Sequence, residues 1–140
     1  MPSLDFLQID YRPDLDLLVG RWRRAVGEGQ LYASYPALLD EARTHGCRYW
    51  LLDARRRLNL EVAITPWLLN DFLPRLGQHL GGRVYLAYLV APIQLTDAVP
   101  EDKQIPPLVY FEGKSSLMQR FTDEAEAIRW LQAQQAKELE

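Results

Sequence analysis

The chain has 140 residues, of which 48% are hydrophobic and 25% are charged, so a folded globular protein is expected and a disordered or fibrous one is excluded. This length corresponds to one domain, which we expect to span residues 1–140. The net charge of −3 is too small to indicate a strongly acidic or strongly basic partner.

The first predicted element is a β-hairpin over residues 7–19 with a turn at Pro13-Asp14, because proline presets the backbone angle that a turn needs. Apolar side chains alternate on both sides of this turn, at Leu7, Ile9, Tyr11, Leu15, Leu17 and Val19. The polar residues between them predict that one face of the hairpin is less deeply covered. The arginines of "RWRR" (21–24) favour an edge strand whose charge blocks further strand pairing.

A helix is predicted from Leu31 to Thr44, because the apolar residues of this segment fall on one stripe of a 3.6-residue period. Pro36 lies near its start, which would place the first turn as late as Ser34 or Tyr35. Gly46 follows the helix at the position where a left-handed C-terminal cap is expected.

Two strands are predicted within residues 48–53 ("RYWLLD") and 83–90 ("RVYLAYLV"). Neither strand alternates apolar with polar residues, which is typical of strands that are covered on both faces. A second helix is predicted between them. It begins at Thr65, which can cap it, and Pro66, which fits the first helical position, and Pro74 is expected to kink or split it.

The last third of the chain predicts a loop, a strand and a helix. Residues 92–107 are expected to form a loop with one helical turn, and "PLVYFE" (107–112) fits either a short strand or a turn of helix. "LMQRF" (117–121) predicts the last strand. Asp123 and Glu126 form a capping-box pattern for a final helix. Its inward-facing residues should be Ala127, Ile128, Trp130 and Leu131, before a polar tail that frays.

The order β-β-α-β-α-β-β-α predicts an α/β fold: a single domain with a mixed β-sheet of about five strands and helices packed on it. Cys47 is the one cysteine of the chain, so no intrachain disulfide can form. The acidic start "MPSLDFLQID" does not fit a signal peptide, and "VYLAYLVAPI" is too short to span a bilayer. We therefore expect a cytoplasmic protein without a transmembrane segment.

The sequence lacks the motifs of the common enzyme and metal sites. His45 and His79 are the two histidines, and neither has a metal-ligand spacing, so no metal site is expected. There is no P-loop, dinucleotide-binding motif or nucleophile elbow, so neither a cofactor nor a catalytic residue is predicted. "RWRR" suggests nucleic acid, but the acidic isoelectric point of about 5.4 argues against such a partner.

The candidate ligand-binding residues surround the end of the first buried strand. Asp53 ends that strand, Arg55 and Arg56 follow it, and ligands of open α/β sheets gather at the carboxyl ends of strands. One interpretation is a crevice in which guanidinium groups bind phosphate or carboxylate. The other is that Asp53 pairs with one arginine and the rest are solvated. Trp67 and Tyr88 fit either the core or the wall of a pocket.

Four segments follow one another along the chain: "WLLDARR", "TPWLLNDFLPRL", "VYLAYLVAP" and "RFTDEAEAIRWL". Together they resemble the small SpoIIAA-like bacterial proteins of the STAS-type fold, which is akin to the CRAL-TRIO lipid-transfer domains. In such proteins a D-x-R follows the third strand, a Phe/Leu-Pro ends the next helix, and an aromatic-to-Trp-Leu segment closes the chain. Asp53 with Arg55, Phe72 to Pro74, and residues 121–131 match these features.

The resemblance implies a non-enzymatic cytoplasmic regulatory or protein-interaction module that binds a protein partner or forms a homodimer. STAS-type antagonists of anti-sigma factors carry a phosphorylatable serine at the start of the helix after the third strand. Here Arg55 to Asn59 stand at that place and the nearest hydroxyl is that of Thr65, so no phosphorylation site is predicted. The alternative is a small-molecule or lipid-binding protein, with a pocket for a hydrophobic or anionic ligand near the Asp53/arginine cluster and the Trp67 helix.

Overall fold

The computed structural model describes residues 4–57, 65–92 and 108–139, in which strands and helices follow one another. Their bounds are β1 (Leu7–Arg12), β2 (Leu17–Trp22), α1 (Glu28–His45), β3 (Tyr49–Asp53), α2 (Thr65–Trp67), α3 (Leu73–Leu80), β4 (Val84–Leu89), β5 (Ser116–Phe121) and α4 (Glu124–Glu138). A π-helical segment, Leu68–Phe72, joins α2 to α3, and a 3₁₀ turn, Leu108–Phe111, precedes β5.

The strands form one five-stranded sheet in the order β1-β2-β3-β4-β5. β1 pairs with β2 antiparallel, and the other three pairs are parallel. This is the mixed sheet of an α/β fold that the sequence predicts. Because β2 to β5 run in the same direction, their carboxyl ends share one edge of the sheet, which we call the carboxyl edge. In this arrangement Arg21 lies beside Asp53, and Asp53 beside Leu89.

Helices cover both faces of the sheet. α1 packs on β1 and β2 and α3 packs on β4 and β5, on the side called here the α1 face. α4 packs on β3, β4 and β5 on the opposite side, the α4 face, and among the described elements no helix packs on that side of β1 and β2. β3 and β4 are buried along their whole length, which confirms that they are covered on both faces.

Two predictions for the first half of the chain are wrong. β2 is not an edge strand, because β3 pairs with it, and five of its six residues are buried. α1 begins at Glu28, and Pro36 lies inside it rather than in its first turn. The side chain of Gln30 accepts the backbone N–H of Gly27 (2.9 Å), which supports this earlier start.

The C-terminal cap of α1 is confirmed, since Gly46 has a left-handed backbone (φ 60°). The next residue, Cys47, is fully buried, and its thiol donates to the carbonyl of Tyr49 (3.2 Å). The predicted second helix is present, and Thr65 is its first described residue. The interruption expected at Pro74 takes the form of the π-helical segment just before it, where the N–H of Leu73 bonds to the carbonyl of Leu68.

At the end of the chain Asp123 caps α4 by accepting the backbone N–H of Glu126 (3.0 Å), as predicted. The predicted fraying after Leu131 is wrong, since α4 continues to Glu138. Side-chain contacts fix its later turns: the Gln135 amide donates to the carbonyl of Leu15 (3.0 Å), and Glu138 accepts a bond from Arg48 (2.9 Å).

The segment "PLVYFE" holds the 3₁₀ turn Leu108–Phe111, so the helical alternative is the correct one. The loop predicted for residues 92–107 lies outside the described residues, except for Pro92.

Candidate anion-binding cleft

A cleft of about 650 Å³ lies at the carboxyl edge of β2 and β3. Its lining residues come from three neighbouring segments and are Gln8, Arg21, Trp22, Arg23, Asp53, Arg55 and Arg56. Side chains of Gln8, Arg21 and Asp53 share one face because strand residues alternate and these three are in register. The cleft therefore carries four guanidinium groups and one carboxylate at the carboxyl edge.

Asp53 is buried, and both of its carboxylate oxygens are bonded. It accepts one hydrogen bond from Arg21 Nη1 (2.8 Å). It accepts three more from Arg55, donated by the backbone N–H (3.1 Å), Nε (3.0 Å) and Nη2 (2.9 Å). Burial alone would raise the pKa of Asp53. The hydrogen bonds from Arg55 and Arg21 outweigh burial and hold that pKa below its ordinary value.

Glu124, the first residue of α4, completes the network. Arg21 donates to it twice, from Nη1 to Oε1 (2.7 Å) and from Nη2 to Oε2 (3.1 Å). Arg55 Nη2 donates to the same carboxylate (3.4 Å). These bonds from Arg21 and Arg55, opposed by partial burial, lower the pKa of Glu124. Arg21, Asp53, Arg55 and Glu124 thus form a closed arrangement of two cations and two anions, called here the charge ring.

The other two arginines of the cleft are not part of the charge ring. Arg23 and Arg56 are exposed, and neither has a carboxylate within salt-bridge distance among the described residues. Both line the same cleft. Because the charge ring is neutral as a whole, Arg23 and Arg56 give the cleft its excess positive charge.

A second cluster lies at the same edge on the α1 face. The Arg57 guanidinium carbon is 4.4 Å from the centroid of the Trp22 ring, and Arg57 donates a hydrogen bond to the hydroxyl of Tyr88. The fully buried Tyr35 lies beside this guanidinium, and burial raises the pKa of Tyr35 strongly. The Trp22 Nε1–H donates to Ser34 Oγ (3.0 Å). Trp22, Tyr35, Arg57 and Tyr88 are called here the Arg57 cluster.

The structure separates the five predicted ligand-binding residues into two groups. Asp53 and Arg55 belong to the charge ring, and Arg56 lines the cleft beside them. Tyr88 points to the α1 face, because it lies opposite Leu52 in the register and so is out of phase with Asp53. Trp67 also packs on that face, against Phe72 and Tyr32.

The groove beside Trp67 has a volume of about 150 Å³, below the roughly 300–1,000 Å³ of common ligand pockets. Its lining residues are Pro36, Leu39, Asp40, Trp67, Phe72, Arg75 and His79. The sheet lies between this groove and the charge ring, so the two do not form one pocket.

Sequence reasoning missed several residues that the structure places at the carboxyl edge: Gln8, Arg21, Arg23 and Glu124. A signal for Arg21 and Arg23 was available, because parallel β2 and β3 bring the residues that end both strands together. For Glu124 no comparable signal exists, since its bonds cross 103 sequence positions.

Comparison of the chain with protein-family models, curated proteins and solved structures finds no match. The resemblance to STAS-type proteins therefore stays a prediction. Within residues 4–57, 65–92 and 108–139, no helix is long and apolar enough to cross a membrane. In the same part of the chain, no three His, Cys, Asp or Glu side chains are grouped so that they could hold a metal ion.

Proposed function

We propose that this chain is a non-enzymatic module that binds a small anion, through a phosphate or carboxylate group, in the cleft at the carboxyl edge. The observation that carries the proposal is the pair Arg23 and Arg56: both are exposed, neither has a carboxylate partner in the described part of the chain, and both line the cleft. A planar guanidinium binds phosphate or carboxylate through two parallel hydrogen bonds.

The size and charge of the cleft support this proposal. About 650 Å³ falls within the roughly 300–1,000 Å³ of common small-molecule sites. The charge ring is neutral, so a ligand with two negative charges would balance Arg23 and Arg56. A cationic cleft also concentrates anions locally, because its positive charges create a positive potential there even though the net charge of the chain is −3.

The hydrogen bonds and the lowered pKa of Asp53 favour a ligand-binding role of the cleft over a catalytic one. Both of its oxygens accept hydrogen bonds from arginine, and its pKa is held below the ordinary value. A general base works best when its pKa is close to the working pH and one of its oxygens is within reach of a substrate proton. Asp53 meets neither condition, so we assign it the role of positioning Arg21 and Arg55.

Calorimetric titration at low ionic strength tests the proposal, with phenyl phosphate and succinate as charge-matched probes that separate phosphate from carboxylate. We expect at least one probe to bind, and the double variant Arg23→Ala/Arg56→Ala to lose about tenfold or more in affinity, since two charge-assisted contacts are removed. Arg43→Ala is the control, because this exposed arginine lies on α1. If the wild-type chain binds neither probe, or the double variant binds like wild type, the proposal is wrong.

The regulatory or protein-interaction module of STAS type, including a homodimer, is the second candidate. The observation that favours it is an exposed apolar surface at the 3₁₀ turn, where Leu108, Val109 and Tyr110 are 38%, 65% and 38% exposed. If this surface joins two copies, light scattering will show a dimer that Val109→Asp converts to a monomer. A wild-type chain that stays monomeric at high concentration would contradict the homodimer.

A further inference from the structure

We infer that Glu124 is a built-in competitor of the anionic ligand: a bound phosphate or carboxylate takes the place of its carboxylate on Arg21 and Arg55. This inference rests on the proposed anion-binding function and adds to it the regulation of the same site. It follows from the geometry of the charge ring, the different attachment of its two carboxylates, and the capping of α4.

Glu124 already makes the contact that an anionic ligand would make. Its two carboxylate oxygens accept two bonds from the same guanidinium, Arg21 Nη1 (2.7 Å) and Nη2 (3.1 Å). This paired arrangement is the one by which arginine recognises a carboxylate or a phosphate. Arg55 adds a third bond to the same carboxylate (3.4 Å). The strongest anion-binding groups of the cleft are therefore occupied by a side chain of the protein.

Of the two carboxylates in the charge ring, Glu124 is the one that a ligand can displace. The side chain of Asp53 is 11% exposed and that of Glu124 is 34% exposed. Asp53 is also held by the backbone N–H of Arg55 (3.1 Å) and lies on the central strand β3. Glu124 has a longer side chain with one more rotatable bond, and it can turn into water without moving the backbone.

Displacement of Glu124 does not require α4 to unfold. The helix is capped by Asp123, whose carboxylate accepts the backbone N–H of Glu126 (3.0 Å), and this bond is independent of the charge ring. A carboxylate in the first turn of a helix is also stabilised by the helix dipole, so a released Glu124 keeps a favourable position in water. The exchange is therefore confined to one side chain, and it leaves the groups of Arg21 and Arg55 that bonded to Glu124 free for the ligand, while Asp53 keeps its own bonds to both arginines.

Titration of phenyl phosphate and succinate into Glu124→Gln tests the inference. Because a half-exposed ion pair is weak and a paired arginine contact is somewhat stronger, we expect binding that is about three- to tenfold tighter than in wild type. Glu126→Gln is the matched control. It removes the same charge from the same turn of α4, and Glu126 is exposed and outside the charge ring. Its affinity should therefore stay close to that of wild type.

The outcomes separate the inference from the proposed function. If wild type binds a probe, Arg23→Ala/Arg56→Ala weakens that binding, and Glu124→Gln binds equally or more weakly, the inference is overturned and the anion site stands. An equal gain in Glu126→Gln would also overturn it, because net charge would then explain the effect. If neither wild type nor Glu124→Gln binds any probe, both fail. Binding by Glu124→Gln together with no binding by wild type supports the competition by Glu124 and contradicts the proposed function, which requires the wild-type chain to bind a probe.

Discussion

Arg55 and Arg57 are two residues apart and lie on opposite faces of the same sheet edge. Arg55 belongs to the charge ring on the α4 face, where its side chain is 42% exposed and bonds to Asp53 and Glu124. Arg57 turns to the α1 face, stacks on Trp22 and donates to Tyr88. The comparison shows that the face to which the chain directs a guanidinium decides its partners: carboxylates and water on one side, aromatic rings on the other.

The two environments differ in what they contribute to the molecule. Ion pairs near water gain little stability, because solvent screens them and their side chains lose freedom. The charge ring therefore keeps cations in place at the cleft without being essential to folding. A guanidinium over an aromatic ring in a dry setting gains more and also fills space in the core. We expect the Arg57 cluster to be structural and the charge ring to be functional.

The largest expected effect comes from Arg57→Ala. It removes the stacking on Trp22 and leaves the hydroxyl of Tyr88 without this donor, so we expect the free energy of unfolding to fall by about 3 kcal/mol. Urea denaturation measures this. Arg57→Lys keeps the charge but not the planar group, and should recover less than half of the loss. If Arg57→Ala is as stable as wild type, the structural role of the Arg57 cluster is wrong.

Asp53→Asn should have a smaller effect, about 1–2 kcal/mol near neutral pH, because it removes a buried charge between Arg21 and Arg55. Asp71→Asn is the matched control, since the Asp71–Arg75 pair is exposed on both sides and should contribute little. A loss in Asp53→Asn no greater than in Asp71→Asn would show that the charge ring adds nothing to stability.

Low pH should reduce the difference in stability between wild type and Asp53→Asn. The pKa values of Asp53 and Glu124 are both lowered in the folded chain, by bonds from Arg55 and Arg21. Their stabilisation is therefore present above the unfolded values of about 4 and is lost as the pH falls through the lower folded values. We expect the stability curves of wild type and Asp53→Asn to converge below about pH 4. Parallel curves down to low pH would contradict this.

Arg56→Ala should change stability least, by less than about 0.5 kcal/mol, because the side chain is exposed and has no carboxylate partner in the described part of the chain. Its binding of phenyl phosphate or succinate should nevertheless weaken. If Arg56→Ala binds the probes normally but is less stable than wild type, the structural and functional roles assigned to the two faces of the sheet would be reversed.

Much of the fold could be predicted from local signals. The runs Tyr49–Asp53 and Val84–Leu89 have no polar residue before their ends, so only a strand with two covered faces explains them. Gly46 marks the end of α1 through backbone chemistry that does not depend on distant residues. The predictions are wrong where contacts between residues distant in sequence determine the structure. α4 extends past Leu131 because Arg48 and the carbonyl of Leu15 hold its end.

The candidate site was predicted only in part for a similar reason. Asp53, Arg55 and Arg56 follow one another in sequence, so their shared position was evident. Tyr88 was assigned to the same pocket because it also lies near a strand end, but its face depends on the register of β4 against β3. The direction of Arg57 depends on the Trp22 ring, which lies 35 positions earlier in the numbering and on another strand.

The buried thiol of Cys47 can serve as a probe of local unfolding. The thiol is fully enclosed, and burial, which is the main cause, raises its pKa to about 12, so the reactive thiolate is scarce in the folded state. A thiol reagent can modify the protein only when the core around Cys47 opens. Since no second cysteine competes for the label, the rate of modification measures how often this part of the molecule opens.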